Sequence, residues 1–229
     1  MSVRAQAAAA VLSCLVPLLA SGAFAQGQAR ASSGLLRAEF WTEAEPVPAV
    51  GDEWPVSADT ARGRLLDEAA WVFGGMVWGF DFRYSPYDKT RGIEERFDLE
   101  PIHSLDAALL EAGKPSSGDG SYRDYVSFQV DPSLASLVAS YGRQPWSDSQ
   151  GIGRADIGGG VKARRQAYVD ALRLAVRAYL QGLEPNKPRL VRGRVVLGAV
   201  PSLAVIEGFY TAQVRARVMV IEAVPYAVY

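Results

Sequence analysis

The stretch from Gly160 to Glu222 constrains this chain most, because it sets a helical period directly before two strand periods. Val161, Tyr168, Leu172, Ala175, Val176, Tyr179 and Leu183 recur at three- and four-residue steps, which gathers them on one face of an α-helix. Arg164, Arg165, Asp170, Arg173, Arg177 and Gln181 fall mostly on the opposite, polar face. Gly182 and Pro185 supply the stop. Two alternating runs follow. Val191, Gly193, Val195 and Leu197 point one way, Arg192 and Arg194 the other. Tyr210, Ala212, Val214, Ala216, Val218 and Val220 then alternate with Thr211, Gln213, Arg215 and Arg217. Such two-sided runs describe antiparallel strands with one face on a core and one towards water. The link around Ala199–Ala204 holds Pro201 and Ser202 and predicts a hairpin wider than a two-residue turn.

The same plan recurs upstream. Ser57 or Asp59 caps a predicted helix with Ala61, Leu65, Ala69, Val72 and Phe73 on one face, stopped by Gly74-Gly75. A strand through Met76, Trp78, Phe80, Phe82 and Tyr84 comes next, then a turn with Pro86 and Gly92, then a strand through Ile93, Glu95, Phe97 and Leu99. A lone hairpin with one helix is marginal, so the two units are expected to share a core. The predicted class is α+β: an antiparallel sheet of four or five strands from two α-β-β units, residues 57–100 and 160–222, with helices on one face. Residues 101–159 connect them, with Tyr125–Val130 as a fifth strand, a short helix Leu134–Tyr141 capped by Asp131 or Ser133, and Tyr141–Gly160 as a surface loop or hinge.

Residues 1–25 read as a secretory signal: Arg4, an apolar run Ala7–Ala20 too short to span a bilayer, and the small-x-small site Ala23-Phe24-Ala25. The rival reading is a lipoprotein acylated at Cys14. Residues 26–56 form an arm in which Pro46, Pro48 and Pro55 forbid a continuous helix and Leu35–Trp41 suits a short strand. Phe40, Trp41 and Trp54 would lay it on the single domain 57–229. The expected location is exported, periplasmic or outer-envelope-associated, in a bacterium. No later run is long enough to cross a membrane as a helix, which leaves peripheral membrane contact as an option.

Composition narrows the chemistry. With one Cys, inside the signal, and one His, the usual structural zinc sites and thiol catalysis are excluded. A formal charge of −1 argues against nucleic acid as a partner. No cofactor and no metal are expected. His103 lies beside Ser104 and Asp106, but triads are assembled from distant segments. Asp119-Gly120-Ser121 lacks the spacing of a calcium loop. Gly151–Gly160 matches neither the dinucleotide fingerprint nor the P-loop and reads as a flexible connector.

Three sets of side chains remain. Asp81, Glu94, Glu95, Asp98 and Glu100 cluster on the first hairpin, where a carboxylate pair could hydrolyse a glycan. Trp71, Trp78, Phe80, Phe82, Tyr84 and Tyr87 suit a core better than a sugar platform. Arg192, Arg194, Arg215 and Arg217 would share the outer face of the second hairpin, with Arg192 opposite Arg215 if the strands pair symmetrically about Pro201. They are the candidate ligand-binding residues, for phosphate, a lipid headgroup or an acidic partner. The competing reading is that the acidic first hairpin supplies their counter-charge. On either reading, reversing Arg215 should matter more than reversing Arg164.

The helix with Ala-Leu-Arg-Leu-Ala-Val at 171–176, followed by strands ending in Gly208-Phe-Tyr-Thr-Ala-Gln-Val-Arg-Ala-Arg-Val218, resembles the group of small envelope lipoproteins and flagellar T-ring N-terminal domains. That resemblance implies a helix on a curved antiparallel sheet, and a role in envelope or flagellar assembly without catalysis. No functional residue carries over from it. The expected function is a non-enzymatic scaffold or binding protein with an envelope protein partner or self-association. The alternatives are a glycan hydrolase and a binder of a small anion or lipid headgroup.

Overall fold

A computed structural model of the chain describes residues 34–45, 56–182 and 188–226. The predicted signal with Cys14, and Trp54, Pro46, Pro48 and Pro55 of the arm, lie outside the described residues. The elements run β1 (Leu35–Glu43), α1 (Ala58–Val77), β2 (Phe80–Ser85), β3 (Arg96–Pro101), β4 (Glu111–Ala112), β5 (Ser116–Gly118), β6 (Ser121–Gln129), α2 (Pro132–Ser140), β7 (Ser147–Asp156), α3 (Gly160–Gln181), β8 (Leu190–Leu197), β9 (Ser202–Ile206) and β10 (Phe209–Val224). The class is α+β with antiparallel sheets. The two α-β-β units do share one sheet, because β2 lies beside β8 with Phe82 opposite Gly193. That sheet has six strands in the order β3-β2-β8-β10-β7, with β9 also on β10. The strand foreseen at Tyr125–Val130 belongs instead to a second, four-stranded sheet, where β6 pairs with β1 along its length. Alternation identifies a strand but not its neighbour, and here the neighbour comes from the N-terminal arm.

Helix α1 begins as expected, with the Ser57 side chain accepting from the Thr60 amide. It does not stop at Gly74-Gly75 but runs on to Val77. A Cβ at Gly75 would lie 2.6 Å from the Phe80 ring, so this glycine serves close packing within the helix. The turn into β2 is made at Gly79, whose φ of 77° favours glycine. Packed against β1 and β6 as well as β8, α1 is buried on several sides near its C-terminus, with the Phe73 ring edge-on to Phe40 and Trp71 against Phe80.

The predicted hinge at Tyr141–Gly160 is largely the ten-residue strand β7, in register with Phe209–Val218 of β10. Its glycines reflect contact rather than flexibility. Cβ atoms at Gly151 and Gly153 would lie 2.6 Å from the Ala175 amide nitrogen and 2.7 Å from the Asp170 carbonyl carbon. Ala163, Ala167, Ala171 and Ala175, at i, i+4 spacing, form the buried face of α3 that meets this strand, backbone nearly on backbone. The second hairpin also differs. Chain that was expected to link two strands forms β9, and the reversal into β10 is a two-residue turn at Glu207-Gly208, with φ of 54° and 80°. Positive φ at both central residues is the turn geometry that matches strand twist.

Candidate functional site

Helices α1 and α3 lie on the sheet face made by residues such as Phe80, Phe82, Val191, Val195, Val214 and Val218, all buried. The alternate residues form the opposite, outer face. Register places Asp98, Arg83, Arg192 and Glu222 in one row across four strands, and Glu100, Asp81 and Arg194 in the next. Arg194 Nε donates to Asp81 Oδ1 at 3.0 Å, Arg192 Nη1 to Glu222 Oε2 at 2.9 Å, and Arg217 Nε to Asp148 Oδ1 at 3.2 Å. Among the described residues Arg83 and Arg215 form no ion pair. A groove of about 640 Å³ runs over this face, lined by Asp81, Arg83, Asp98, Arg192, Glu222 and the apolar Ile221 among others.

All four predicted arginines therefore reach the outer face, but not as one cluster. Arg192 stands opposite Glu222, not Arg215, because the first half of β10 pairs with β9 and only its second half with β8. Arg215 lies opposite Gln150, in a separate depression of about 380 Å³ with Arg217, Asp148 and Ser149. The acidic first hairpin supplies one counter-charge, Asp81; Glu222 and Asp148 supply the others.

The carboxylate cluster is likewise dispersed. Glu95 turns to α3, pairing with Arg173 and Arg177 and accepting from the Tyr84 hydroxyl at 2.6 Å. Burial and this carboxylate together raise the Tyr84 phenol above its usual range. Glu94, Asp98 and Glu100 are exposed. Phe80, Phe82 and Tyr84 are core, Trp71 and Trp78 half-buried, Tyr87 exposed. His103 packs edge-on to Trp78, and the Asp106 carboxylate accepts from the Ala108 amide, so no hydrogen bond among the described residues joins His103, Ser104 and Asp106.

A protein-family model matches residues 23–226 of the chain. An uncharacterized protein of Treponema pallidum (strain Nichols) is 32% identical over 205 residues, covering 83% of this chain and 81% of that protein. The chain belongs to that family. No solved structure matches it.

In this family member the side chain that sequence reading misplaced is Arg164. Assigned to the polar face of α3, it is instead 2% exposed and sits where both sheets and two helices meet. Its guanidinium donates to Glu68 on α1 through Nε and Nη2, to Glu43 on β1 through Nη1 (2.8 Å), and to the Trp41 carbonyl (2.6 Å). It also lies over the Trp41 ring, 4.3 Å from its centroid. The hydroxyls of Tyr168 and Tyr210 donate to Glu68 and Glu43, each at 2.8 Å. Burial works to raise the Glu43 carboxyl, but Arg164, its own backbone and Tyr210 together hold it below its ordinary value. Burial also disfavours charge on Arg164, and the two carboxylates overcome this, raising it further. Arg164 itself is closed to solvent, its carboxylate partners keep only 14% side-chain exposure, and the donors and acceptors are matched, which suits a structural role. Only its partners, 96 and 121 residues away, distinguish Arg164 from the arginine beside it.

Proposed function

We propose that this protein is a non-enzymatic, envelope-associated binding or scaffold protein that docks a protein partner on the outer face of its six-stranded sheet. The observation that carries the reading is that face. It spans β3, β2, β8 and β10, is not covered by α1 or α3, and offers a long groove with alternating charges and an exposed Ile221. Residues of both signs beside an apolar side chain suit a protein surface, with the charges fixing register and the apolar atoms adding affinity. Export and a place in envelope or flagellar assembly are part of the same proposal and rest on the N-terminal pattern and the resemblance of the second unit.

The hydrolase reading has less support, because Asp81 and Glu95 are committed to arginines and a general acid needs a carboxyl free to hold a proton. An anion-binding reading is favoured by one observation, the unpaired guanidinium of Arg215 beside Arg217. The test is a photo-crosslinking residue at Ile221, compared with one at Leu109, which is equally exposed at 62% but away from the groove. In fractionated source cells, Ile221 should crosslink to one envelope protein, Leu109 should not, and Arg83→Glu should abolish the product. Equal crosslinking at both positions, or recovery of the protein only from cytosol, refutes the proposal.

A further inference from the structure

The strand order of the six-stranded sheet ends in β3 on one side and β7 on the other, and the two ends are built differently. On β3, Arg96, Asp98 and Glu100 are all exposed, and the strand closes on Pro101. Spaced charges and a proline are among the devices that keep a further strand from adding to a sheet. At the other end, β7 pairs with β10 alone among the described residues. It is ten residues long, holds no proline, and carries no charge in its middle, Gln150-Gly151-Ile152. Ile152 is 56% exposed and stands opposite Gln213, so no apolar cross-strand neighbour accounts for it.

The open side of β7 follows from its alternation. The Arg154 amide donates to Asp170 on α3 at 3.1 Å, away from β10. Backbone groups of an antiparallel strand alternate in direction, so the N–H and C=O groups of Asp148, Gln150 and Ile152 point the same way as those of Arg154. Among the described residues no hydrogen bond takes them. Asp170 closes one end of this edge and leaves the rest open. The side chains of Asp148, Gln150, Ile152 and Arg154 share the outer face, where they read negative, neutral, neutral, positive. A strand with that pattern is complementary to itself run backwards.

We infer that β7 pairs antiparallel with β7 of a second copy of this chain, joining the two large sheets edge to edge. Backbone bonds form only where outward-facing residues stand opposite one another, so the register can slide only in steps of two residues. With Gly151 opposite Gly151, Asp148 faces Arg154 at both ends and Gln150 faces Ile152 between them. Sliding one step either way sets Asp148 against Ile152 or against Asp156, and neither makes an ion pair. The contacts these charges already have are open to solvent. Arg154 and Glu207 are 3.8 Å apart and both exposed, and the Asp148 side chain is 89% exposed beside Arg217. Asp170 releases the Arg154 amide to the second copy and keeps its bonds to Arg173. Residues directly opposite point to the same face, so the outer faces of both copies form one surface that carries the charged groove twice.

The test is sedimentation velocity of the full chain over a rising concentration series, under reducing conditions so that Cys14 forms no covalent link. The wild type should pass from monomer to dimer. Ile152→Pro removes an N–H that β10 does not use, so it should keep the circular dichroism spectrum of the wild type and lose the dimer. Asp148→Arg and Arg154→Asp should each weaken the dimer about tenfold or more, and the double variant should restore it, because the ion pairs re-form with their ends exchanged. A wild type that stays monomeric, or a dimer that survives Ile152→Pro in a folded protein, overturns the edge pairing. A double variant no tighter than either single one overturns the register, and this comparison decides the matter alone if Ile152→Pro does not fold. These positions lie outside the groove that holds Ile221, so the crosslinking result there is read separately.

Discussion

Replacing Arg164 by methionine tests the central network. The change keeps an unbranched apolar stem but removes the bonds of 2.8 and 3.2 Å to Glu68, 2.8 Å to Glu43 and 2.6 Å to the Trp41 carbonyl. Both carboxylates have only 14% exposed side chains and would keep only neutral side-chain donors, Tyr168 on Glu68 and Tyr210 with Thr42 on Glu43. Breaking a buried pair by removing one partner costs about 3–5 kcal/mol, because the remaining charge stays in a poorly solvated place. Against a domain stability of about 5–15 kcal/mol, that is a large share. Urea unfolding followed by tryptophan fluorescence should show it directly, with Trp41 as a probe beside the site. Adding Glu43→Gln and Glu68→Gln to Arg164→Met should recover part of the loss, since no uncompensated charge then remains. The pH dependence has a definite sign. The folded Glu43 carboxyl lies below its ordinary 4.5, so its contribution is complete above pH 4.5 and is lost as pH falls through the folded value. The gap between wild type and Arg164→Met should narrow over that descent. A cost under about 1 kcal/mol at neutral pH, or a gap that widens in acid, would refute the reasoning. Reversing Arg164 is accordingly expected to cost more than reversing the exposed Arg215, opposite to what the sequence alone suggests.

Three further outcomes are expected. Gly153→Ala pushes a methyl into the backbone of α3 and should cost about 1–3 kcal/mol or more, whereas Gly63→Ala, with nothing within 4 Å, should stabilise by roughly 0.5–1 kcal/mol; equal effects in urea unfolding would refute the close-contact reading of β7. Burial, reinforced by Glu95, Glu68 and Glu43 at the first, third and fourth, raises the phenols of Tyr84, Tyr141, Tyr168 and Tyr210 above 10.0, so these groups stabilise the fold below pH 10.0 and that contribution is lost as pH rises beyond it. Tyrosinate absorbance should then rise in two phases, the second coinciding with unfolding; one smooth phase for all ten tyrosines would contradict this. Asp81→Asn should cost less than about 1 kcal/mol, because its partner Arg194 is, like Asp81, about half exposed; a greater loss of stability, seen in thermal melts at low salt and absent at high salt, would contradict that.

Periodicity was enough to find α3, β2, β8 and most of β10, and to show that two α-β-β units need a common sheet. Each depends on local spacing, 3.6 or 2 residues per repeat, which the chain carries whatever its neighbours are. The arginine row on the outer face was legible for the same reason. Its pairing was not, because register depends on where the chain turns. The Glu207-Gly208 turn moved the reversal past Pro201 and put Glu222, not Arg215, beside Arg192. The larger misreadings share that cause. Gly151 and Gly153 look like a linker until α3 is laid on them, and Gly75 looks like part of a helix stop until Phe80 is beside it. Arg164 and Arg165 are adjacent and chemically identical, yet one holds the core together and the other faces an open cavity. What separates them is a rotation of about 100° around the helix axis and the carboxylates that residues far along the chain bring to one side.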